Sequence, residues 1–245
     1  MDDRIVAIIP ARLGSSRFPG KPLAQLLGRP MIEHVLRPAE QCTQLSAVYV
    51  ATCDQEIKSV VEGLGGRVIM TSPAHERATD RVAEAAEQVE ADIVVMIQGD
   101  EPMITSAMIS AAITPLLVDR SVECVNLIRR ITNQHDYLDP NTIKVVMNVN
   151  HDALYFSRAP IPALEFLAGE QTPVFKQVCV IPFRTEFLRA FMSLSPTKLE
   201  QAESIDMLRI IEHGRRVRLV ETTVETHAVD TPEDLRLVKK LMETL

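Results

Sequence analysis

No stretch of this chain approaches the roughly 20 consecutive apolar residues that a membrane-spanning helix needs, which argues against a helical membrane protein. The opening Met1-Asp2-Asp3-Arg4 is acidic and runs straight into an apolar segment. It lacks the pattern of a secretory leader and points to the cytoplasm. Cysteine is sparse: Cys42, Cys53, Cys124 and Cys179 lie far apart without a C-x-x-C pair, which favours free thiols over zinc or a disulfide framework. Basic charge is not in surplus either. With a net charge of −7 the chain lacks the basic face of a general nucleic-acid binder. A local basic loop or a metal can still hold a small anion on an acidic protein. Low-complexity tracts and solenoid-length repeats are absent, and no Ser–His–Asp, Cys–His or H-E-x-x-H arrangement is legible.

What is present is an ordinary globular composition, 46% hydrophobic and 24% charged, in a chain of 245 residues that can form one large domain or a core with a lobe. The apolar run at 5–9 predicts a strand covered on both faces. Met31, Ile32, Val35, Leu36 and Ala39 form a helical stripe, with Pro38 expected to kink it. Further strands are expected at 48–50, 68–70 and 93–97, with helices near 54–64 and 79–90 between them. That alternation predicts βαβ units and a mostly parallel sheet. After residue 120 strand-like pieces at 124–130, 142–148, 153–157 and 175–181 follow one another, which suggests an antiparallel extension. Helices are expected at 184–192 and 198–213, a strand at 217–221, and a final helix capped by Thr231 with Pro232 at its first position.

Residues 10–22 (PARLGSSRFPGKP) directly follow the first strand, where open α/β sheets bind ligands. Glycines and serines let backbone N–H groups approach phosphate, and Arg12, Arg17 and Lys21 add three cations, the combination a triphosphate requires. The spacing fits neither a P-loop nor a dinucleotide-binding loop. Residues 98–102 (QGDEP) follow another fully apolar strand, so Asp100 can reach the same crevice and hold Mg²⁺. Asp230 is either a second metal acid or part of an ordinary helix start. Arg81 meets either a nucleotide or a neighbouring acid. In residues 153–162 (ALYFSRAPIP), the order of aromatics then Arg158 suits a pocket wall with a carboxylate clamp. Attack on phosphorus by a substrate hydroxyl requires no protein nucleophile, only positioning, metal and cations.

Together these segments resemble the 3-deoxy-manno-octulosonate (Kdo) cytidylyltransferases, or CMP-Kdo synthetases, almost end to end: residues 10–23, 71–81, 98–104, 141–162, 203–208 and 229–235. The resemblance implies an α/β nucleotide-diphosphosugar transferase fold, a Rossmann-like, mostly parallel sheet sandwiched by helices with an antiparallel, dimerising extension. It implies one cytidylyltransferase domain over 1–245, with 1–120 mainly binding CTP and 121–228 mainly binding sugar and forming a homodimer. Arg12, Arg17 and Lys21 would bind the triphosphate, Ala11, Ser16 and Gln98 the cytidine with Arg81 nearby. Asp100 and Asp230 would coordinate Mg²⁺, and Arg158 would face the sugar. Lys21, Asp100, Asp230 and Arg12 are the implied catalytic set. The implied reaction joins CMP from CTP to the anomeric hydroxyl of an acidic eight-carbon sugar for lipopolysaccharide biosynthesis, with no nucleic-acid or membrane partner.

The sugar side departs from the family pattern. Where the family reads H-[IL]-G-[IV]-Y-x-Y-R, Gln177 and Ile181 replace the histidine and first tyrosine, and in L-E-Q-L-R, Asp206 and Met207 replace the Glu–Gln pair. S-G-T-[DE]-R becomes Arg77-Ala78-Thr79-Asp80-Arg81. Sugar recognition is rebuilt while the metal acids are kept, so the expectation is a changed sugar, 8-amino-3,8-dideoxy-manno-octulosonate, contacted by Arg158, Gln177, Asp206 and Met207. Unmodified Kdo, another acid such as a sialic acid, and a non-catalytic nucleotide-sugar-binding relative are the alternatives.

Overall fold

The computed structural model describes residues 3–15, 17–163 and 172–244. β1 (Ile5–Pro10) leads through a 3-10 turn (Lys21–Leu23) and a short hairpin, β2 (Gln25–Leu26) with β3 (Arg29–Pro30), into α1 (Met31–Glu40). Then come β4 (Ala47–Thr52), α2 (Gln55–Gly63), β5 (Arg67–Met70), α3 (Ala78–Ala86), β6 (Ile93–Ile97) and α4 (Ser106–Val118). β7 (Val125–Arg130), α5 (Gln134–Leu138), β8 (Lys144–Met147), β9 (Ala153–Ser157), β10 (Phe175–Val178) and β11 (Val180–Arg184) follow. The chain continues through α6 (Thr185–Met192), α7 (Lys198–Glu203), α8 (Met207–Glu212), β12 (Arg218–Thr222) and α9 (Pro232–Glu243). No helix among the described residues is long and apolar enough to cross a membrane.

The first sheet has the order β11-β6-β1-β4-β5, parallel except for β11 at its edge. Both central strands are buried along their whole length because each face carries helices. Val6, Ile8, Val94 and Met96 pack on one side with α3 and α6 residues such as Val82 and Phe191. Ile5, Ala7, Ile9, Val95 and Ile97 pack on the other with Ile32, Leu36, Val61, Ile109 and Ile113. The alternation is the period of two of a strand.

The chain passes from β1 outward to β4 and β5 and returns to β6 on the opposite side of β1. This reversal opens a crevice at the carboxyl ends of β1 and β6, which pair in parallel with Ile8 opposite Met96. The loop after β1 and the turn after β6 therefore emerge side by side. A second sheet, β12-β7-β10-β8-β9, is antiparallel apart from the β12–β7 pair. Strand β10 ends at Val178 and its continuation β11 crosses to the first sheet, so residues 175–181 belong to two sheets, not one strand. The helix expected over 198–213 is likewise two helices, broken at Ser204, whose φ of 56° is left-handed.

Candidate active site

Gly20, at φ 72°, makes the turn that folds the loop after β1 back on itself, with Gly20 N donating to Leu13 O at 3.0 Å. Lys21 then points its ammonium into the crevice. Its Nζ donates to Asp100 Oδ2 at 2.8 Å, to Val229 O at 2.7 Å and to Asp230 Oδ1 at 3.4 Å. Burial pulls the Lys21 ammonium down, but Asp100 and Asp230 outweigh it and the pKa is raised. Arg17 joins the cluster, donating to Asp230 Oδ1 at 3.0 Å and to Asn141 Oδ1 at 2.6 Å. The segment carrying Asp230 is fixed by Val229 N donating to Asp100 O at 2.8 Å. Thr231 caps α9, accepting from Asp234 N at 3.2 Å. Val229, Met103, Leu26 and Val238 form a small apolar core behind it.

The turn after β6 is held from below by Glu101, which is 2% exposed. Its carboxylate accepts from Cys179 N at 3.0 Å and from the Thr226 hydroxyl at 3.1 Å. Burial pushes its carboxyl up to about 7. Glu101 thus ties the turn to the β10–β11 crossing and to the approach to Asp230.

Two adjoining cavities meet at this cluster. The first, of about 210 Å³, is lined by Ala11, Arg12, Lys21 and Arg81 among others. Arg12 is exposed and bonds to no described residue, whereas Arg81 is buried, its Nη1 donating to Thr71 Oγ1 and, at 3.4 Å, to Ser72 O. The second cavity, of about 280 Å³, is lined by Arg158, Gln177, Ile181, Asp206 and Met207 among others. Arg17, Arg77, Gln98, Asp100 and Asp230 border both. Every site residue expected from the sequence therefore lies on one cavity or the other, except Ser16, which falls outside the described residues.

In the second cavity Glu203 positions Arg158: its backbone O accepts from Arg158 Nε at 2.7 Å and its carboxylate from Arg158 N at 2.8 Å. Arg158 Nη1 donates to Pro140 O at 3.0 Å, which leaves Nη2 without a partner among the described residues. Lys144, fully buried, ties the same wall together by donating to the carbonyls of Asp139, Thr142 and Arg158 at 2.6–2.7 Å. Gln177 Nε2 donates to Asn126 Oδ1 at 2.6 Å and leaves its carbonyl oxygen as an acceptor. Asp206 accepts from Arg77 Nη1 and from Thr79 Oγ1, each at 2.6 Å. Reading the sequence passed over Glu101, Lys144 and Glu203, because nothing local distinguishes a buried charge from a solvated one.

No group of three His, Cys, Asp or Glu side chains suited to a metal occurs among the described residues. Asp100 and Asp230 nevertheless converge on one ammonium. Two hard oxygens that leave room for substrate phosphates fit a small divalent cation better than a dedicated protein cage would.

A model of the cytidylyltransferase family matches residues 6–221. A 3-deoxy-manno-octulosonate cytidylyltransferase of Geobacter metallireducens is 46% identical over 97% of this chain and 98% of its own. Its namesake from Geobacter sulfurreducens is 45% identical over 98% and 99%. The solved structure of a CMP:2-keto-3-deoxy-manno-octonic acid synthetase complexed with CTP superposes with a TM-score of 0.90 at 39% identity, covering 98% of this chain and 99% of that one. A 4-diphosphocytidyl-2C-methyl-D-erythritol synthase from Anaerococcus prevotii shares the fold alone, with a TM-score of 0.67 at 14% identity over 99% of this chain and 100% of its own.

Proposed function

Because the chain belongs to the cytidylyltransferase family and is a nucleotidyltransferase, we propose that it transfers CMP from CTP to the anomeric hydroxyl of a 3-deoxy-manno-octulosonate-type sugar. The observation that carries this reading is the pair of cavities joined at Asp100 and Asp230, one lined by the basic loop and the other by Arg158. The sugar hydroxyl gives up its proton, with net release to solvent, as a new bond forms between its oxygen and the α-phosphorus; the bond from the α-phosphorus to the oxygen bridging it to the β-phosphorus breaks, and pyrophosphate leaves. Arg12, Arg17 and Lys21 hold the triphosphate charge. Ala11 and Gln98 lie against the cytidine, with Arg81 nearby, and the family resemblance assigns Ser16 to the same role. Arg158 takes the sugar carboxylate. Asp100 and Asp230 would hold Mg²⁺, which when bound neutralises charge developing on the phosphates. Residues 1–120 mainly serve CTP and 121–228 the sugar and a homodimer contact, in a cytoplasmic enzyme of lipopolysaccharide biosynthesis.

The finer part of the proposal is that the sugar is 8-amino-3,8-dideoxy-manno-octulosonate. A carboxylate, Asp206, and the acceptor oxygen of Gln177 on one cavity suit a group that only donates. The names of the relatives favour the unmodified sugar as the second reading. A pyrophosphate-release assay crossing the four ribonucleoside triphosphates with several ulosonic acids tests the assignment. Release is expected only with CTP and an ulosonic acid together; comparable release with ATP or GTP, or without sugar, refutes it.

A further inference from the structure

Arg77 stands on the wall between the two cavities and borders both. It occupies the residue before α3, where a short polar side chain would ordinarily cap the helix, yet it makes no capping bond. On the sugar side its Nη1 reaches Asp206 Oδ1 at 2.6 Å. The adjacent Glu200 has its own partner, since Arg209 Nε and Nη2 donate to its two oxygens at 2.7 and 2.6 Å while Arg77 Nε is 3.6 Å away. Glu200 and Arg209 are closed to solvent at 0% and 6% exposure, whereas Arg77 and Asp206 are open at 26% and 16%. The second pair is therefore the one that can exchange partners. While it is intact, an ammonium entering the sugar cavity meets a guanidinium beside the carboxylate it needs.

We propose that Arg77 is a displaceable counter-ion coupling the two cavities: a triphosphate in the nucleotide cavity draws its guanidinium off Asp206, and the freed carboxylate receives the ammonium of an amino sugar. The inference rests on the amino-sugar reading above and deepens it. A guanidinium matches phosphate oxygens in a two-bond fork, so an anion in a cavity that Arg77 already lines competes directly with Asp206. Thr79 keeps Asp206 in place through its hydroxyl, 2.6 Å from Oδ2, when Arg77 leaves. Binding linkage then requires nucleotide and amino sugar to tighten one another by the same factor.

Calorimetric titration of the amino sugar, alone and with saturating α,β-methylene-CTP and Mg²⁺, measures that factor without turnover. In the wild-type protein the nucleotide analogue is expected to tighten the amino sugar about tenfold, and to do much less for unmodified Kdo. Arg77→Ala is expected to bind the amino sugar equally with and without the analogue, because its carboxylate is free in both states. Arg77→Lys keeps the charge and should retain part of the coupling, which a merely structural role would not produce. If Arg77→Ala does not fold, Arg77→Gln keeps a donor to Asp206 without the charge and is expected to lose the coupling in the same way. Equal kcat/KM for the two sugars in the wild-type protein refutes the amino-sugar reading, and this inference with it. A clear preference for the amino sugar together with undiminished coupling in Arg77→Ala, or with no coupling in the wild type, overturns the role of Arg77 alone.

Discussion

The ammonium of Lys21 joins Asp100, 79 positions away, to Asp230, 209 positions away, through contacts of 2.8 and 3.4 Å. Two acids that converge on one cation are placed to share another. Asp100→Asn keeps the shape and removes a charge, so divalent-metal binding with the triphosphate should weaken. A metal that stabilises charge in the transition state contributes several kcal/mol, so kcat is expected to fall by at least about a hundredfold. Near-normal turnover of Asp100→Asn or Asp230→Asn at saturating Mg²⁺ would show that the two acids are not the metal site.

The relative position of the two loops depends on Gly99. A Cβ there would stand 3.0 Å from Pro10 O and 3.4 Å from Ile32 Cδ1. The first of these is backbone of β1 and cannot rotate away. Gly99→Ala should therefore spread the ends of β1 and β6, at a cost of about 1–3 kcal/mol, and raise KM for CTP by separating Asp100 from Lys21. Unchanged melting temperature and unchanged KM would show that the crevice tolerates the extra carbon.

The parallel core was legible because β1 and β6 are apolar on both faces, and the final helix because Thr231 is followed by Pro232 and two acids, a start that Thr231 and Asp234 close as a reciprocal cap. Helix α4 was not anticipated. Its Ser106–Val118 sequence is apolar almost all round, so it shows no stripe for a period to reveal. Periodicity also cannot say which sheet a strand joins, which is why the crossing at Cys179 stayed hidden. Nothing local linked Arg77 to Asp206, 129 positions apart. The basic loop and QGDEP could be read because each follows an apolar strand, whereas Asp230 was drawn to them chiefly by the family resemblance.

Acid should loosen the corner behind the second cavity. Burial pushes the Glu200 carboxyl up, but the two hydrogen bonds from Arg209 and the one from Thr197 N prevail and hold it below the ordinary 4.5. A depressed folded pKa means that this stabilisation is complete above about 4.5 and is lost as pH falls through the lower folded value. Melting temperature should decline more steeply below that point in the wild type than in a Glu200→Gln, Arg209→Met double variant. Arg209→Met alone strands a buried carboxylate and should cost about 3–5 kcal/mol. Parallel pH profiles for the wild type and the double variant would show that this pair does not set the acid limit.

On the amino-sugar reading, Asp206 is the residue that sets the sugar preference. Its carboxylate borders the second cavity beside Met207 and Ile181, two apolar side chains that offer no competing acceptor. An ammonium on the sugar forms an ion-paired hydrogen bond there, whereas a hydroxyl bonds the same carboxylate without a charge of its own. A contact of the first kind contributes about 1.5–3 kcal/mol, so kcat/KM should favour the amino sugar over Kdo by roughly ten- to a hundredfold. Asp206→Asn keeps an acceptor oxygen but removes the charge that would receive the ammonium. That variant is expected to lose most of the preference, chiefly through a higher KM for the amino sugar, while use of Kdo changes less. Because Asp206 also holds Arg77 and Thr79 at the start of α3, KM for CTP is the control. If it rises in step with KM for both sugars, Asp206 acts on the architecture of the site. If it stays put or falls while only the amino sugar suffers, Asp206 reads the substrate. Equal use of both sugars by the wild-type protein would return the substrate to unmodified Kdo and leave the cytidylyltransferase assignment intact.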